Sequence, residues 1–284
     1  MLTRFEGSFL GFDQTELFFQ TWVDAPPRGT IVITHGLAEH SECYHALAKS
    51  LAQEGWHVYG WDLRGHGRSD GKRGLARHLS EFERDLNSFL ETSVKPQHAK
   101  EKGPIILFGH SMGGMVTLRY LANTQHSIDA VVLSSPLLGL SVKVPKIKEQ
   151  IAIYANKWAP TLTLYNEIKY ADLSRDTEML NQYPKDTLRH DKISPGIFLS
   201  MLESMEWMPS QAEKIAIPVL MQLAGEDRIV SAEASRAFFD KLPNKKNQVI
   251  LYPESYHEIY NDLDRDRVIA DLKKFINPYL GGTT

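Results

Sequence analysis

Gly109-His110-Ser111-Met112-Gly113 sets a serine between two glycines, G-x-S-x-G, where an apolar run gives way to a helical stripe. A serine hydroxyl becomes a nucleophile only when a base takes its proton, and that base needs a carboxylate to orient it. A sharp strand-to-helix turn would present the hydroxyl. Glycines two positions to either side remove the Cβ atoms that would collide in such a turn. Ile105, Ile106, Leu107 and Phe108 supply a strand apolar on both faces, as inside a parallel sheet. Beyond the turn, Met115, Leu118, Leu121 and Ala122 recur at helical spacing. The chemistry this setting serves is nucleophilic acyl transfer; the plain alternative is a tight turn with a solvated serine.

In a strand-turn-helix setting of this kind, the acid and then the histidine follow the serine along the chain. After Ser111 the histidines are His126, His190 and His257. His126 lies just past the nucleophile helix, and His190 sits in a stretch without a strand. His257 follows the QVILYP run in a short loop, Glu254-Ser255-Tyr256, and is the one histidine downstream of the acid candidate. For the acid, the strand ending at Ala224 runs into Gly225-Glu226-Asp227-Arg228, which favours Asp227 over its neighbour Glu226. Two backbone N–H groups must then hold the developing oxyanion. One comes from Met112, the residue after the nucleophile, and the other from Leu37 in the loop His35-Gly36-Leu37-Ala38-Glu39-His40. Losing one such donor costs on the order of 10²–10³ in rate.

His35, Glu39, His40 and His45 raise the question of a metal. No H-E-x-x-H pattern occurs, and positions 40 and 45 would not share a helix face, so no metal is expected. No organic cofactor is implied either. Asp62-Leu63-Arg64-Gly65-His66-Gly67 looks superficially like a dinucleotide fingerprint, but Asp70 stands where its third glycine belongs. Asp62, Arg64 and His66 are expected to cross-link a loop beneath the site.

Positioning these residues takes an α/β architecture, and the chain alternates accordingly. Strands are expected at Thr30–Thr34, His57–Trp61, Ile105–Phe108, Ala130–Leu133, Pro218–Leu223 and Gln248–Tyr252. Helices are expected at Tyr44–Glu54, Ser80–Thr92, Met112–Ala122, Glu233–Leu242 and Arg265–Ile276, after a leading hairpin of Ser8–Asp13 and Glu16–Trp22. Between Pro136 and Met208 the alternation stops. That length reads as an inserted helical cap, residues 137–208, within a core of residues 1–136 and 209–284. It follows a strand's carboxyl end, over the face where open α/β sheets bind ligands.

With 284 residues, 42% of them hydrophobic, the chain can bury one substantial core. A net charge of -3 gives no sign of nucleic-acid binding. The single cysteine, Cys43, excludes an internal disulfide framework and suits a reducing compartment and a packing role. The first residues lack the unbroken apolar stretch of a signal peptide, and no run is apolar enough to span a bilayer. A cytoplasmic protein is expected, with attachment to a membrane surface left open.

With these pieces in place, the chain resembles the monoglyceride lipase and lysophospholipase branch of the α/β-hydrolase fold. The resemblance covers nearly the full length. It rests on HGLAEHSECY (35–44), DLRGHGRSDG (62–71), GHSMGG (109–114), AGEDRIV (224–230) and YHEIYND (256–262). The most discriminating piece is DLSRDTEMLNQYPKDTLRHDKIS (172–194), because many hydrolases share the others. The resemblance implies Ser111 as nucleophile, Asp227 as acid, His257 as base, and Leu37 and Met112 as oxyanion donors. One departure is Ala38, where the family usually has glycine; it bears on the loop's shape rather than on the chemistry.

The expected activity is cleavage of the acyl ester of a monoacylglycerol or lysophospholipid. In the inserted region Ile147, Ile151, Tyr154 and Trp158 share one helical face, ringed by Lys143, Lys146, Lys148 and Lys157. Such a face could rest on lipid and admit an acyl chain, with Ile151 and Trp158 as substrate contacts; ordinary packing of the cap on the core explains it equally well. Glu39 is a candidate holder of the leaving alcohol or a brace for its own loop. Alternatives are a short-chain carboxylesterase, an aminopeptidase of the same fold, and a ligand receptor with vestigial chemistry. Ser111 disfavours the branches that use an aspartate nucleophile.

Overall fold

An antiparallel pair opens the chain in the computed structural model, which describes residues 1–24 and 26–281: β1 (Thr3–Leu10) and β2 (Glu16–Val23). Strands and helices then alternate through β3 (Gly29–Thr34), α1 (His45–Ala52), β4 (Trp56–Trp61), α2 (Leu79–Phe89), α3 (Lys95–Glu101), β5 (Ile105–His110), α4 (Met112–Asn123) and β6 (Ala130–Ser134). Next come α5 (Lys146–Trp158), β7 (Leu164–Tyr165), α6 (Thr177–Gln182), β8 (Lys192–Ile193) and α7 (Pro195–Trp207). The chain finishes with β9 (Val219–Ala224), α8 (Ala232–Phe239), β10 (Gln248–Tyr252) and α9 (Arg265–Ile276).

Among the described residues, eight strands form one sheet in the order β1-β2-β4-β3-β5-β6-β9-β10. β2 runs against both its neighbours; the six strands from β4 to β10 in that order are mutually parallel. The period of two along β5 shows why its run is unbroken. Ile105 and Leu107 enter the core on the face of α2 and α4, whereas Ile106 and Phe108 enter the core on the face of α1 and α9. A strand covered on both sides has no face to leave polar. The carboxyl ends of β3, β5, β9 and β10 lead directly into the loops or turns that carry Leu37, Ser111, Asp227 and His257, so one rim of the sheet gathers them.

Two expectations need correction. The first hairpin strand is Thr3–Leu10, not Ser8–Asp13, and residues after Leu10 form the turn, with Gln14 at φ 69 and Gly11 N–H bonded to Thr15 O at 2.8 Å. As an edge strand β1 buries only Phe9, so it offers no apolar alternation to read. Helix α3 was not expected, because Pro96 interrupts the stretch and none of its residues is buried. The proline sits in the first turn, where its missing N–H has no helical partner to lose.

None of the described strands between β6 and β9 joins the sheet; β7 and β8 pair only with each other. Helix α5 packs on α7 yet buries only Ala152. No described helix is long and apolar enough to cross a membrane.

Candidate active site

Ser111 is held at φ 51 and ψ −120, between β5 and α4. An L-residue pays for this backbone conformation with Cβ crowding, and the close approach around it explains both flanking glycines. A Cβ at Gly109 would lie 2.7 Å from Gly113 O and from Gly114 Cα, and one at Gly113 would drive into the carbonyls of Thr34 and His35. The turn is pinned by Ser111 N–H to Ser134 O and by Leu137 N–H to Ser111 O, each 3.0 Å. Met112 opens helix α4, so its N–H is among those with no intrahelical acceptor and is free to face an oxyanion.

His257 Nδ1 donates to Asp227 Oδ2 at 2.7 Å. The other carboxylate oxygen accepts from Ile229 N–H and Val230 N–H at 2.9 and 3.0 Å, which fixes the carboxylate's rotation. Burial opposes ionisation of Asp227, but the facing imidazole and these hydrogen bonds outweigh it, so its carboxyl sits below the ordinary range. Burial likewise opposes a charge on His257, and the Asp227 charge and hydrogen bond outweigh that too, raising its pKa. With Nδ1 committed to Asp227, Nε2 carries the lone pair.

The loop after β3 is braced from beneath. His35 Nδ1 bonds Gly36 O at 2.7 Å and its Nε2 accepts Leu63 N–H at 3.0 Å, and burial lowers its pKa to about 4, keeping it neutral. Ala38 adopts φ 67, so the loop keeps the left-handed turn that glycine favours, at a cost of ~1–2 kcal/mol for a residue with a Cβ. Glu39 accepts from Tyr44 Oη at 2.8 Å and from Gly36 N–H at 3.2 Å. Burial and the nearby Glu258 raise its pKa to about 8, so it is largely protonated at neutral pH.

Leu37, Glu39, Ser111, Arg189, His257 and Glu258 all line one cavity of about 400 Å³, as do residues of the 137–208 stretch such as Tyr165 and Ile168. Among the described residues no hydrogen bond joins the Ser111 hydroxyl to His257, although both face this cavity. Such contacts often tighten only when substrate is bound.

The family model described as Hydrolase_4, serine aminopeptidase S33, matches residues 25–264. The chain belongs to that family. Like other members of the α/β-hydrolase fold, this S33-family chain has similar relatives of matching length. It is 32% identical to a protein of Mycolicibacterium smegmatis named monoacylglycerol lipase, over 98% of this chain and 99% of that one. It is 27% identical to Phospholipase YtpA of Bacillus subtilis, over 92% of this chain and 99% of the relative. The crystal structure of Paleococcus ferrophilus monoacylglycerol lipase superposes with a TM-score of 0.83 at 31% identity, covering 98% of this chain and 99% of that one.

Several residues of the S33-family chain that were singled out from its sequence stand elsewhere. Ile151 and Trp158 do not line the Ser111 cavity. They are 56% and 75% exposed, on the same outward face as Ile147 and Tyr154. Ile151 borders a separate groove with Leu164 and Phe198. Glu226 is exposed beside Asp227 and His126 lies near Tyr120, whereas His190, packed against His66, does line the Ser111 cavity. Asp62 does brace the site loop, accepting from Ser41 N–H and Arg68 N–H at 2.7 and 2.8 Å. Arg64 instead reaches away to Asp85 and Asp13. Among the described residues, His40, Cys43 and Asp186 form the one group with metal-ligand atoms close together, within 4.8 Å. His40 and Asp186 already hydrogen-bond each other at 2.7 Å, and burial keeps the Cys43 thiol protonated. Arg189 and Glu258 were not anticipated, although both lie inside quoted motifs; nothing in a linear pattern marks a partner 69 positions away.

Proposed function

We propose that the chain cleaves the acyl ester of a monoacylglycerol or lysophospholipid through Ser111, His257 and Asp227. It is a carboxylic ester hydrolase. The observation that carries the reading is the 2.7 Å Asp227–His257 pair opening onto the same cavity as a serine held in a strained strand-to-helix turn. The lengthwise match to relatives named monoacylglycerol lipase and phospholipase supports a lipid ester as substrate.

The steps follow from the groups at hand. His257 Nε2 takes the Ser111 proton as Oγ attacks the ester carbonyl. Leu37 N–H and Met112 N–H receive the oxyanion. As the tetrahedral intermediate collapses, the C–O bond to the alcohol breaks and Nε2 returns its proton to the leaving oxygen. Water then enters by the reverse sequence, giving up a proton to Nε2, and the fatty acid leaves while Ser111 regains its hydrogen. Asp227 holds the imidazole in the required tautomer throughout. Each proton transfer is served by the chain's own side chains. Glu39, mostly protonated, is able to donate a hydrogen bond to a polar alcohol, and its contacts with Tyr44 and Gly36 also brace the loop.

Residues 137–208 are read as a helical cap over a core of residues 1–136 and 209–284. The outward apolar face of α5 supports a transient lipid contact. The test is a hydrolysis panel of short esters, monoacylglycerols, lysophospholipids and aminoacyl amides. Preferred turnover of long-chain glycerol or lysophospholipid esters is expected, and turnover confined to the amides would reverse the substrate assignment.

A further inference from the structure

His257 sits in a loop that the sheet alone does not hold. Its neighbour Glu258 is buried and gripped from the 137–208 stretch: Arg189 makes a two-pronged pair with it, Nη1 to Oε1 at 3.0 Å and Nη2 to Oε2 at 3.2 Å. Tyr183 Oη donates to the same carboxylate at 2.6 Å while its ring lies 4.0 Å from the Arg189 guanidinium carbon. Glu258 N–H bonds Leu173 O at 2.8 Å. The same short stretch also reaches the oxyanion loop. Asp186 bonds His40 at 2.7 Å, and His190 N–H bonds Ala38 O at 3.3 Å. Residues 183–190 therefore touch both the loop that carries the base and the loop that carries an oxyanion donor.

We propose that Arg189 is a positioning residue, which through its fork onto Glu258 sets where His257 stands and balances the charge beside it. The proposal rests on the triad reading above. The charged and titratable groups around His257 are Asp227 from the loop after β9, Glu39 from the loop after β3, His110 at the end of β5, and Glu258 with Arg189 and Tyr183. His110 is neutral, because burial lowers its pKa to about 3. Burial alone would push the Glu258 carboxyl up, yet Arg189 outweighs it and holds Glu258 ionised. An ionised Glu258 favours the imidazolium; an Arg189 left alone would oppose it. Because proton transfer requires His257 Nε2 to meet the Ser111 hydroxyl, small errors in loop position act directly on that step. Displacements of about 1 Å can cost roughly 10²-fold in rate.

Three variants of the full chain separate position from charge, assayed on a short soluble ester that needs no lipid surface. Arg189→Lys keeps the charge but loses the planar fork and the stacking on Tyr183. Its kcat is expected to fall by about tenfold or more with KM nearly constant, and with the acidic limb of kcat/KM unmoved. Glu258→Gln leaves Arg189 uncompensated, and the limb is expected to move down by roughly half a pH unit or more. Arg189→Met with Glu258→Gln removes both charges and is expected to return the limb towards the wild-type position while kcat stays low. Thermal unfolding of each variant reports whether it folds; should one not fold, the remaining two still test position or charge. Folded Arg189→Lys with wild-type kcat, or a Glu258→Gln limb that stays put or rises, would overturn the proposal. A wild-type chain that hydrolyses no ester would overturn the functional reading along with it.

Discussion

Replacing Ser111 by glycine and by alanine separates the chemistry of this position from its backbone strain. Both variants lack the hydroxyl and are expected to lose turnover, and only the alanine keeps a Cβ at φ 51 and ψ −120. Holding a non-glycine residue in so sparsely populated a region costs on the order of 1–3 kcal/mol. Glycine recovers that cost but gives back ~0.4–1 kcal/mol, because it gains freedom in the unfolded chain. Taking the middle of these ranges, Ser111→Gly should therefore be more stable than Ser111→Ala by about 1 kcal/mol. For a domain of this size, each kcal/mol corresponds to about 2–4 °C in Tm. The assay is urea unfolding at equilibrium with the slope m compared between variants, since an unchanged m assigns the difference to stability rather than to a changed denatured state. Equal midpoints, or a more stable alanine variant, would refute the claim that the turn is strained at the nucleophile.

Other expectations follow from the same geometry. Because Asp227 raises the pKa of His257, the acidic fall in kcat/KM should lie above the unperturbed imidazole value of about 6.5; a midpoint well below it would contradict the pairing. The proposed base works only when neutral, so activity is expected above that pKa and is expected to be lost as pH drops through it. Asp227→Asn should shift the limb to lower pH and cut kcat by up to ~10⁴, checked by steady-state profiles of the two proteins. Ile151→Ser with Trp158→Ser should weaken binding to lipid vesicles by roughly tenfold or more, taking half of the ~1.5–3 kcal/mol that full burial of each side chain yields. Unchanged sedimentation with vesicles and unchanged long-chain turnover would remove the lipid-facing role of α5.

How much of this is visible in the linear sequence depends on how local each cause is. β5 and α4 announce themselves because two-sided burial leaves Ile105 to Phe108 without a polar residue and α4 carries an apolar stripe. The serine, acid and histidine stand out because each follows a readable strand. Strand β1 and helix α3 escape, the first being an edge that buries little and the second burying none of its residues. Ile147, Ile151, Tyr154 and Trp158 do share a helical face as their spacing implies, but periodicity cannot say which way the face turns, and it turns outward from the Ser111 cavity. The Arg189–Glu258 pair depends on tertiary approach of distant segments, and no local pattern encodes it.

Labelling with a fluorophosphonate probe, followed by mapping of the modified peptide, tests the central claim most directly. One adduct per chain, carried by Ser111, absent from Ser111→Ala and slowed in Asp227→Asn, is the predicted result. A correctly folded chain that takes up no probe, or takes it up at another residue while Ser111 stays unmodified, would contradict it.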